Sequence, residues 1–457
     1  MFLETVRSEG LSHLSYIFGS QGSAAVIDPK RDCEIYIRIA RSHGSRITHI
    51  FETHRNEDYV IGSQELAHKT SAEIFHGKNL PFNYGSPVSD GDRFKLGELL
   101  LTVLETPGHT YESISIALAD KSFDEKTVGI FTGDSLFIGD VGRTDFYPEE
   151  KENVAGMLYD SIFGKILSLG DHVILYPGHG AGSVCGAGMA SREFSTTGFE
   201  RLTNPVLKLP DKAEFIKHKV NEHHYQPPYF RQMEKYNKEG PSLLYNLPSP
   251  VPVGAEQFKK SMHDGMIALD IRSPEAIAGA YIPGSTTVPL DMVPAFAGWF
   301  LPYDQSLGLI AEGHGQVETA VRYLIRLGYD SIPCYLEGGL HEWEITGGRY
   351  DSIQTIHAEE LMKRLESDMN FTLLDVRGTN EFIEGHLPHA TNIYVGELPE
   401  KLNQLNKDHI ITTFCGSGKR AMIAATIVRN NGFKNVENCL GSMAACRALG
   451  CPITTGD

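Results

Sequence analysis

Four short apolar runs in the first half of the chain end on metal-binding types of side chain, and that recurrence constrains the fold more than any other feature. Residues 46–51 lead into Glu52-Thr53-His54-Arg55-Asn56-Glu57-Asp58-Tyr59, and residues 99–104 into Thr106-Pro107-Gly108-His109-Thr110. Residues 128–131 lead into Thr132-Gly133-Asp134-Ser135, and residues 172–176 into Pro177-Gly178-His179-Gly180. Each run has the length and apolar content of a strand, followed by polar, glycine or proline punctuation. Residues 15–27 read as two more strands around Gly19-Ser20-Gln21-Gly22, closed by Asp28-Pro29, and residues 33–42 have helical spacing. Strands alternating with helices build layered α/β domains whose strand-end loops carry the chemistry.

A chain of 457 residues is too long for one core, and about 150 residues per domain suggests three. The formal net charge of -17 argues against nucleic acid or an anionic membrane as partner, since both require a cationic face. The first residues lack the long apolar core of a secretory signal, and no apolar run approaches the ~18–20 residues of a membrane span. Seven cysteines, an odd number without a C-x-x-C pair, favour free thiols and a cytoplasmic location.

Residues 241–254 are rich in proline and glycine and read as a linker. Beyond them the sequence repeats. Leu269-Asp270-Ile271-Arg272 is echoed by Leu374-Asp375-Val376-Arg377, and Gly279-Ala280-Tyr281-Ile282-Pro283 by Gly385-His386-Leu387-Pro388. In the second copy Cys415-Gly416-Ser417-Gly418-Lys419-Arg420 follows an apolar run and precedes a helical pattern. Glycines that let successive amides point inward at a helix N-terminus make an anion cradle, in which Lys419 and Arg420 would favour a thiolate or persulfide on Cys415. The first copy has Ala311-Glu312-Gly313-His314-Gly315-Gln316 there and lacks the nucleophile.

The loop at His54 resembles the T-H-x-H-x-D-H metal loop of the metallo-β-lactamase superfamily, with Asn56 and Tyr59 where that family usually has histidine. The two repeats resemble tandem rhodanese domains, and the loop at Cys415 resembles the C-x-x-G-x-R loop of single-domain sulfurtransferases. The resemblances imply an α/β chain in three parts. An αββα sandwich spans residues 1–245, a rhodanese-homology domain without the cysteine spans 255–350, and a rhodanese domain with Cys415 as sulfur acceptor spans 352–457.

Two histidines and a carboxylate on three loops suit a single Fe(II), and His54, His109 and Asp134 are assigned to it, with zinc as the alternative metal. In binuclear hydrolases of the superfamily a second ion needs the last histidine of the loop; with Tyr59 there, Asp58 and His179 alone would hold it poorly. The pattern resembles the persulfide dioxygenase branch, which implies oxidation of a small thiol persulfide, such as glutathione persulfide, by O2 to sulfite, with thiosulfate as a further product. Gly142-Arg143-Thr144-Asp145-Phe146 resembles that branch's carrier-binding segment. Arg143 and Asp145 are read either as carrier contacts or as an internal ion pair. Asn56 and Tyr59 are expected to donate to Asp58 or a bound water. His179 is read as structural or as a metal neighbour, and Cys185 as a sulfur carrier near the metal or a small buried hydrophobe. Asp375 and Arg377 are assigned to supporting the loop of Gly416, Ser417, Gly418 and Lys419. A glyoxalase II-type thioester hydrolase, or a sulfurtransferase with a silent first domain, are the alternatives. The sequence leaves the thiol carrier open, and with it the oligomeric state, a homo-oligomer included.

Overall fold

The computed structural model describes every residue except 123–125, 185, 187, 367–369 and 457. It divides into two compact units, Met1–Asn246 with Ile325–Gly328, and Leu247–Leu324 with Tyr329–Asp457.

The first unit is a sandwich of two sheets. Strands β1 (Phe2–Ser8), β2 (His13–Ser20), β3 (Ser23–Ile27), β4 (Arg46–Glu52), β5 (Glu73–Gly77) and β6 (Ser86–Val88) lie in sequence order in one sheet. The pairs β1–β2 and β2–β3 are antiparallel and the later ones parallel. Strands β7 (Arg93–Leu96), β8 (Leu99–Glu105), β9 (Ile114–Asp120), β10 (Thr127–Gly133) and β11 (Ile174–Pro177) form the second sheet in the order β11-β10-β9-β8-β7. Alternation places Leu99, Leu101 and Val103 on the inner face of β8, where they join Phe18, Phe51, Ile116, Leu118 and Phe131 in one core. Burial of each such side chain contributes on the order of 2 kcal/mol.

The outer faces are covered by helices. Tyr36 and Ala40 of the helix Glu34–Ser42 and Leu66 of the helix Ser63–Thr70 pack with Ile17, Val26 and Ile50. Leu158 of the helix Lys151–Asp160 and Phe215 of the helix Lys212–Val220 pack with Ile130 and Leu175. Helix, sheet, sheet, helix is the expected layering.

The second unit holds two parallel sheets of one topology. Strands β12 (Val251–Val253), β13 (Ile267–Asp270), β14 (Thr286–Thr287), β15 (Leu307–Ile310) and β16 (Cys334–Leu336) are ordered β12-β16-β15-β13-β14. Strands β17 (Gln354–Ile356), β18 (Phe371–Asp375), β19 (Thr391–Asn392), β20 (Ile410–Phe414) and β21 (Val436–Cys439) are ordered β17-β21-β20-β18-β19. The two orders correspond position by position, which is the sequence repeat in three dimensions. The same buried ion pair recurs as well: Arg272 on Asp270 with a further bond to the Ala280 carbonyl, and Arg377 on Asp375 with one to the Gly385 carbonyl.

The end of the expected linker is not a linker. Val251–Val253 pairs in parallel with Cys334–Leu336, and Pro252 is tolerated because β12 is an edge strand. Among the described residues, no helix is long and apolar enough to cross a membrane.

Candidate functional site

His54 stands just beyond β4, and its ring is set by a relay from the neighbouring strand. Asp28, at the end of β3, accepts from the Thr53 backbone N–H at 2.8 Å and from the Thr53 hydroxyl at 2.6 Å. With its proton so committed, Thr53 Oγ1 accepts from His54 Nδ1 at 3.0 Å. His109 Nδ1 in turn donates to the Arg143 carbonyl at 2.9 Å. A proton on Nδ1 leaves the lone pair of each ring on Nε2.

Both Nε2 atoms are buried and make no well-directed hydrogen bond. What faces them is carboxylate. Asp134 Oδ2 is 3.9 Å from His54 Nε2 and 3.7 Å from His109 Nε2, and ligand atoms of His54, His109 and Asp134 all lie within 4.8 Å of one another. Glu57 closes the other side, Oε1 at 3.2 Å from His109 Nε2 and Oε2 at 3.7 Å from His54 Nε2. Two buried imidazole nitrogens converging with carboxylates are the donor set of a cation. These residues fit a metal. Burial disfavours a charged His109, yet Glu57 and Asp134 together raise its pKa to about 9, so a proton competes with any cation for that Nε2.

The adjoining position is occupied by the protein. A Cβ on Gly178 would lie 2.5 Å from Asp134 Oδ1, so glycine there allows His179 to close in. His179 Nδ1 sits 2.8 Å from Asp134 Oδ1 and Nε2 3.0 Å from Asp58 Oδ2. Burial opposes its protonation, but the flanking carboxylates Asp134 and Asp58 hold it charged, well above the ordinary histidine range. An imidazolium thus supplies the positive charge between Asp58 and Asp134, with Asp58 Oδ1 left without a hydrogen-bond partner.

Tyr59 and Asn56 do not serve Asp58 as expected. The Tyr59 hydroxyl pairs with His13 Nε2 at 2.8 Å, and Asn56 Nδ2 donates to the His54 carbonyl at 3.3 Å. The reason lies in Asn237, buried on the helix Phe230–Glu239. Its side-chain amide donates to the Asn56 and Tyr59 carbonyls at 2.6 and 2.8 Å, and its Oδ1 accepts from Ile61 N–H at 3.0 Å. Pinning the backbone on both sides of Glu57 fixes which loop side chains turn inward.

Beside the centre opens a cavity of ≈ 480 Å³ lined by Arg55, Glu57, Thr110, Glu112, Phe146 and Arg231 among others. Arg143 does not line it. Its guanidinium is gripped by Asp145 at 2.6 and 2.7 Å, donates to the Val184 and Tyr225 carbonyls at 3.2 Å, and packs on the Phe146 and Phe230 rings. Its side chain is 1% exposed and the internal ion pair with Asp145 is the arrangement found, while the Arg143 carbonyl orients His109. Cys185 lies outside the described residues.

In the second unit Cys415 stands just beyond β20 and is buried. Its Sγ accepts from the Gly418 N–H at 3.1 Å. The first amides of the helix Ser442–Leu449 hold the loop's outward carbonyls, Met443 N–H on Cys415 and Ala444 N–H on Gly416, both at 3.0 Å. The chain then turns at Gly418, whose φ of +96° suits glycine, into the helix Lys419–Asn430. Arg420 is held fork to fork by Glu381 at 2.6 and 2.8 Å. Burial penalises the cation, and Glu381 outweighs that penalty. Lys419 points away to Asp291 rather than into the cradle. Asp375 and Arg377 reach the site indirectly: Arg377 donates to the Glu381 carbonyl at 3.2 Å and so fixes the helix Thr379–Glu384 that presents Glu381.

Asp28, Glu57, Asn237, His13 and Glu381 went unassigned in the sequence reading. Asp28 and Glu57 lay within the stretches already singled out there. Asn237 and Glu381 had no local signal, because their partners are distant in the chain.

A metallo-beta-lactamase superfamily model matches residues 9–179, and a rhodanese-like domain model matches residues 254–346 and 357–448. The chain is 35% identical over 162 residues to a hydroxyacylglutathione hydrolase of Rhodospirillum rubrum, covering 35% of this chain and 57% of that protein. It is 29% identical over 213 residues to the mitochondrial persulfide dioxygenase ETHE1 of Bos taurus, covering 44% of this chain and 74% of that protein. The alignment thus spans little more than half of the hydrolase. A crystal structure of a metallo-beta-lactamase from Staphylococcus aureus superposes with a TM-score of 0.66 at 35% identity, covering 74% of this chain and 98% of that one. With its sandwich, its paired sheets and these relatives, the chain belongs to the metallo-β-lactamase superfamily, in a form that carries tandem rhodanese-like domains.

Proposed function

We propose that the chain is a mononuclear iron persulfide dioxygenase joined to a sulfurtransferase. The observation that carries the reading is the asymmetry of the first site: two imidazole lone pairs and a carboxylate converge on one point, while the neighbouring point is bridged by His179. His54, His109 and Asp134 would hold one Fe(II), which when bound supplies the one-electron chemistry that lets O2 react with a thiol persulfide. The chain's own residues do the rest. Thr53 and the Arg143 carbonyl keep the ring protons on Nδ1, His179 neutralises Asp58 and the outer oxygen of Asp134, and the cavity beside Glu57 admits the substrate.

The balanced reaction is RSS⁻ + O2 + H2O → RSH + SO3²⁻ + H⁺. At the second site, a persulfide on Cys415 passes its outer sulfur to sulfite, breaking the S–S bond, forming the S–S bond of thiosulfate and returning the Cys415 thiolate. Amides of the loop and the cation of Arg420 favour the anionic sulfur. The substrate class is a small thiol persulfide such as glutathione persulfide.

A thioester hydrolase of the hydroxyacylglutathione type is the second reading, favoured by the relative of that name and by the unpartnered Asp58 Oδ1. Metal analysis and an oxygen electrode separate the two. One iron per chain with persulfide-dependent O2 uptake supports the first; two metals per chain and thioester hydrolysis without O2 uptake would replace it. His54→Ala should abolish O2 uptake and leave thiosulfate:cyanide sulfur transfer intact, and Cys415→Ser should do the reverse.

A further inference from the structure

We propose that Glu57 is a fourth protein ligand of the cation held by His54, His109 and Asp134. The inference rests on the reading of those three as a metal centre, and on nothing about the reaction. Glu57 presents Oε1 3.2 Å from His109 Nε2 and Oε2 3.7 Å from His54 Nε2. Adjacent ligand atoms on one ion with bonds of about 2.1 Å lie about 3 Å apart, so this carboxylate stands close to ligand range of both nitrogens, while the grouping within 4.8 Å among the described residues is His54, His109 and Asp134. It faces the same two lone pairs that Asp134 Oδ2 faces at 3.9 and 3.7 Å.

The placement is built in. Glu57 is 6% exposed. The backbone before and after it is clamped by Asn237 through the Asn56 and Tyr59 carbonyls, and the Arg55 N–H is fixed by Glu112 at 2.7 Å. With Asn56 turned onto the His54 carbonyl and Tyr59 onto His13, Glu57 is the side chain of this loop, besides His54, that reaches the two lone pairs. A second carboxylate brings the ligand charge to that of a divalent cation. It also leaves a six-coordinate ion only a pair of open positions, enough for two small reactants and too few for a broad bidentate substrate with a water.

The test uses the full chain, stripped with chelator and titrated with Mn(II). Free ion is read by electron paramagnetic resonance, and inner-sphere water by water-proton relaxation. Glu57→Ala should weaken Mn(II) binding by about 100-fold or more and add one exchangeable water. Glu57→Gln, close in shape, should lose most of the same affinity, and it serves if the alanine variant misfolds by circular dichroism. Asn56→Ala is the loop control and should bind as the wild type does.

Binding of Glu57→Ala within about 10-fold of wild type overturns the proposal. So does a larger loss without the added water, because it would place Glu57 against a bound water instead of the ion. His54→Ala keeps the two readings apart. If it loses Mn(II) where Glu57→Ala does not, the centre stands and the fourth ligand falls; if the wild type holds no Mn(II), the centre itself is misassigned and the fourth ligand goes with it.

Discussion

Replacing Asp28 with asparagine should weaken metal binding without touching a ligand. Once ionised, above pH ~7, Asp28 only accepts, so the Thr53 hydroxyl proton points to it and His54 keeps its own proton on Nδ1. The substituted side chain could still accept from the Thr53 N–H, but its amide would donate to Thr53 Oγ1. The hydroxyl proton must then turn toward His54 Nδ1, and the ring proton moves to Nε2, the atom that faces Asp134. Partners one step behind a ligand are worth roughly 10–100-fold in affinity, here about 1.4–2.7 kcal/mol.

Stability should move the other way. Burial raises the Asp28 carboxyl from 3.8 to about 7, against the bonds from Thr53. A carboxyl with a raised folded pKa contributes stability that is present below its unfolded pKa and lost as pH climbs through about 7, on the order of 4 kcal/mol in all. Asp28→Asn lacks that loss, so the metal-free variant should fall off less than the wild type between pH ~5 and ~8. Mn(II) competition at pH ~8 and thermal unfolding of the metal-free chain at both pH values measure the two effects. Wild-type affinity in Asp28→Asn would refute the relay.

Asn237→Leu strips three hydrogen bonds from the buried loop and should cost about 3 kcal/mol or more in urea unfolding, with metal affinity falling alongside. Glu381→Gln leaves Arg420 without its anionic partner and should slow thiosulfate:cyanide transfer by about 10-fold; an unchanged kcat would make the pair purely structural. Burial works against the charged form of Asp145, but Arg143 holds its pKa well below the ordinary range. That pair therefore stabilises above pH ~4 and its contribution is lost as pH falls further. Asp145→Asn should be about 3 kcal/mol less stable at pH 7, and the gap should begin to narrow only below pH ~4, as denaturant midpoints across pH ~2 to ~7 would show.

Some of this was written in the order of residues alone. Strands such as Leu99–Glu105 announce themselves because alternation is local, and the repeat at Asp270–Arg272 and Asp375–Arg377 because a duplicated domain duplicates its turns. Glycine spacing around Cys415 marks a loop whose geometry is decided within a few residues, and the order of His54, His109, Asp134 and His179 along the chain points to one shared end of the strands. Tertiary structure decided the rest, since direction is not local. That Glu57 turns inward while Asn56 turns away depends on Asn237, far along the chain. Arg143 faces Asp145 and two aromatic rings rather than the cavity because the helix Phe230–Glu239 brings Phe230 over it. Val251–Val253, irregular in composition, is a strand because Cys334–Leu336 offers it an edge. Periodicity and punctuation are properties of neighbours in sequence; which lone pair is left facing which carboxylate is a property of neighbours in space.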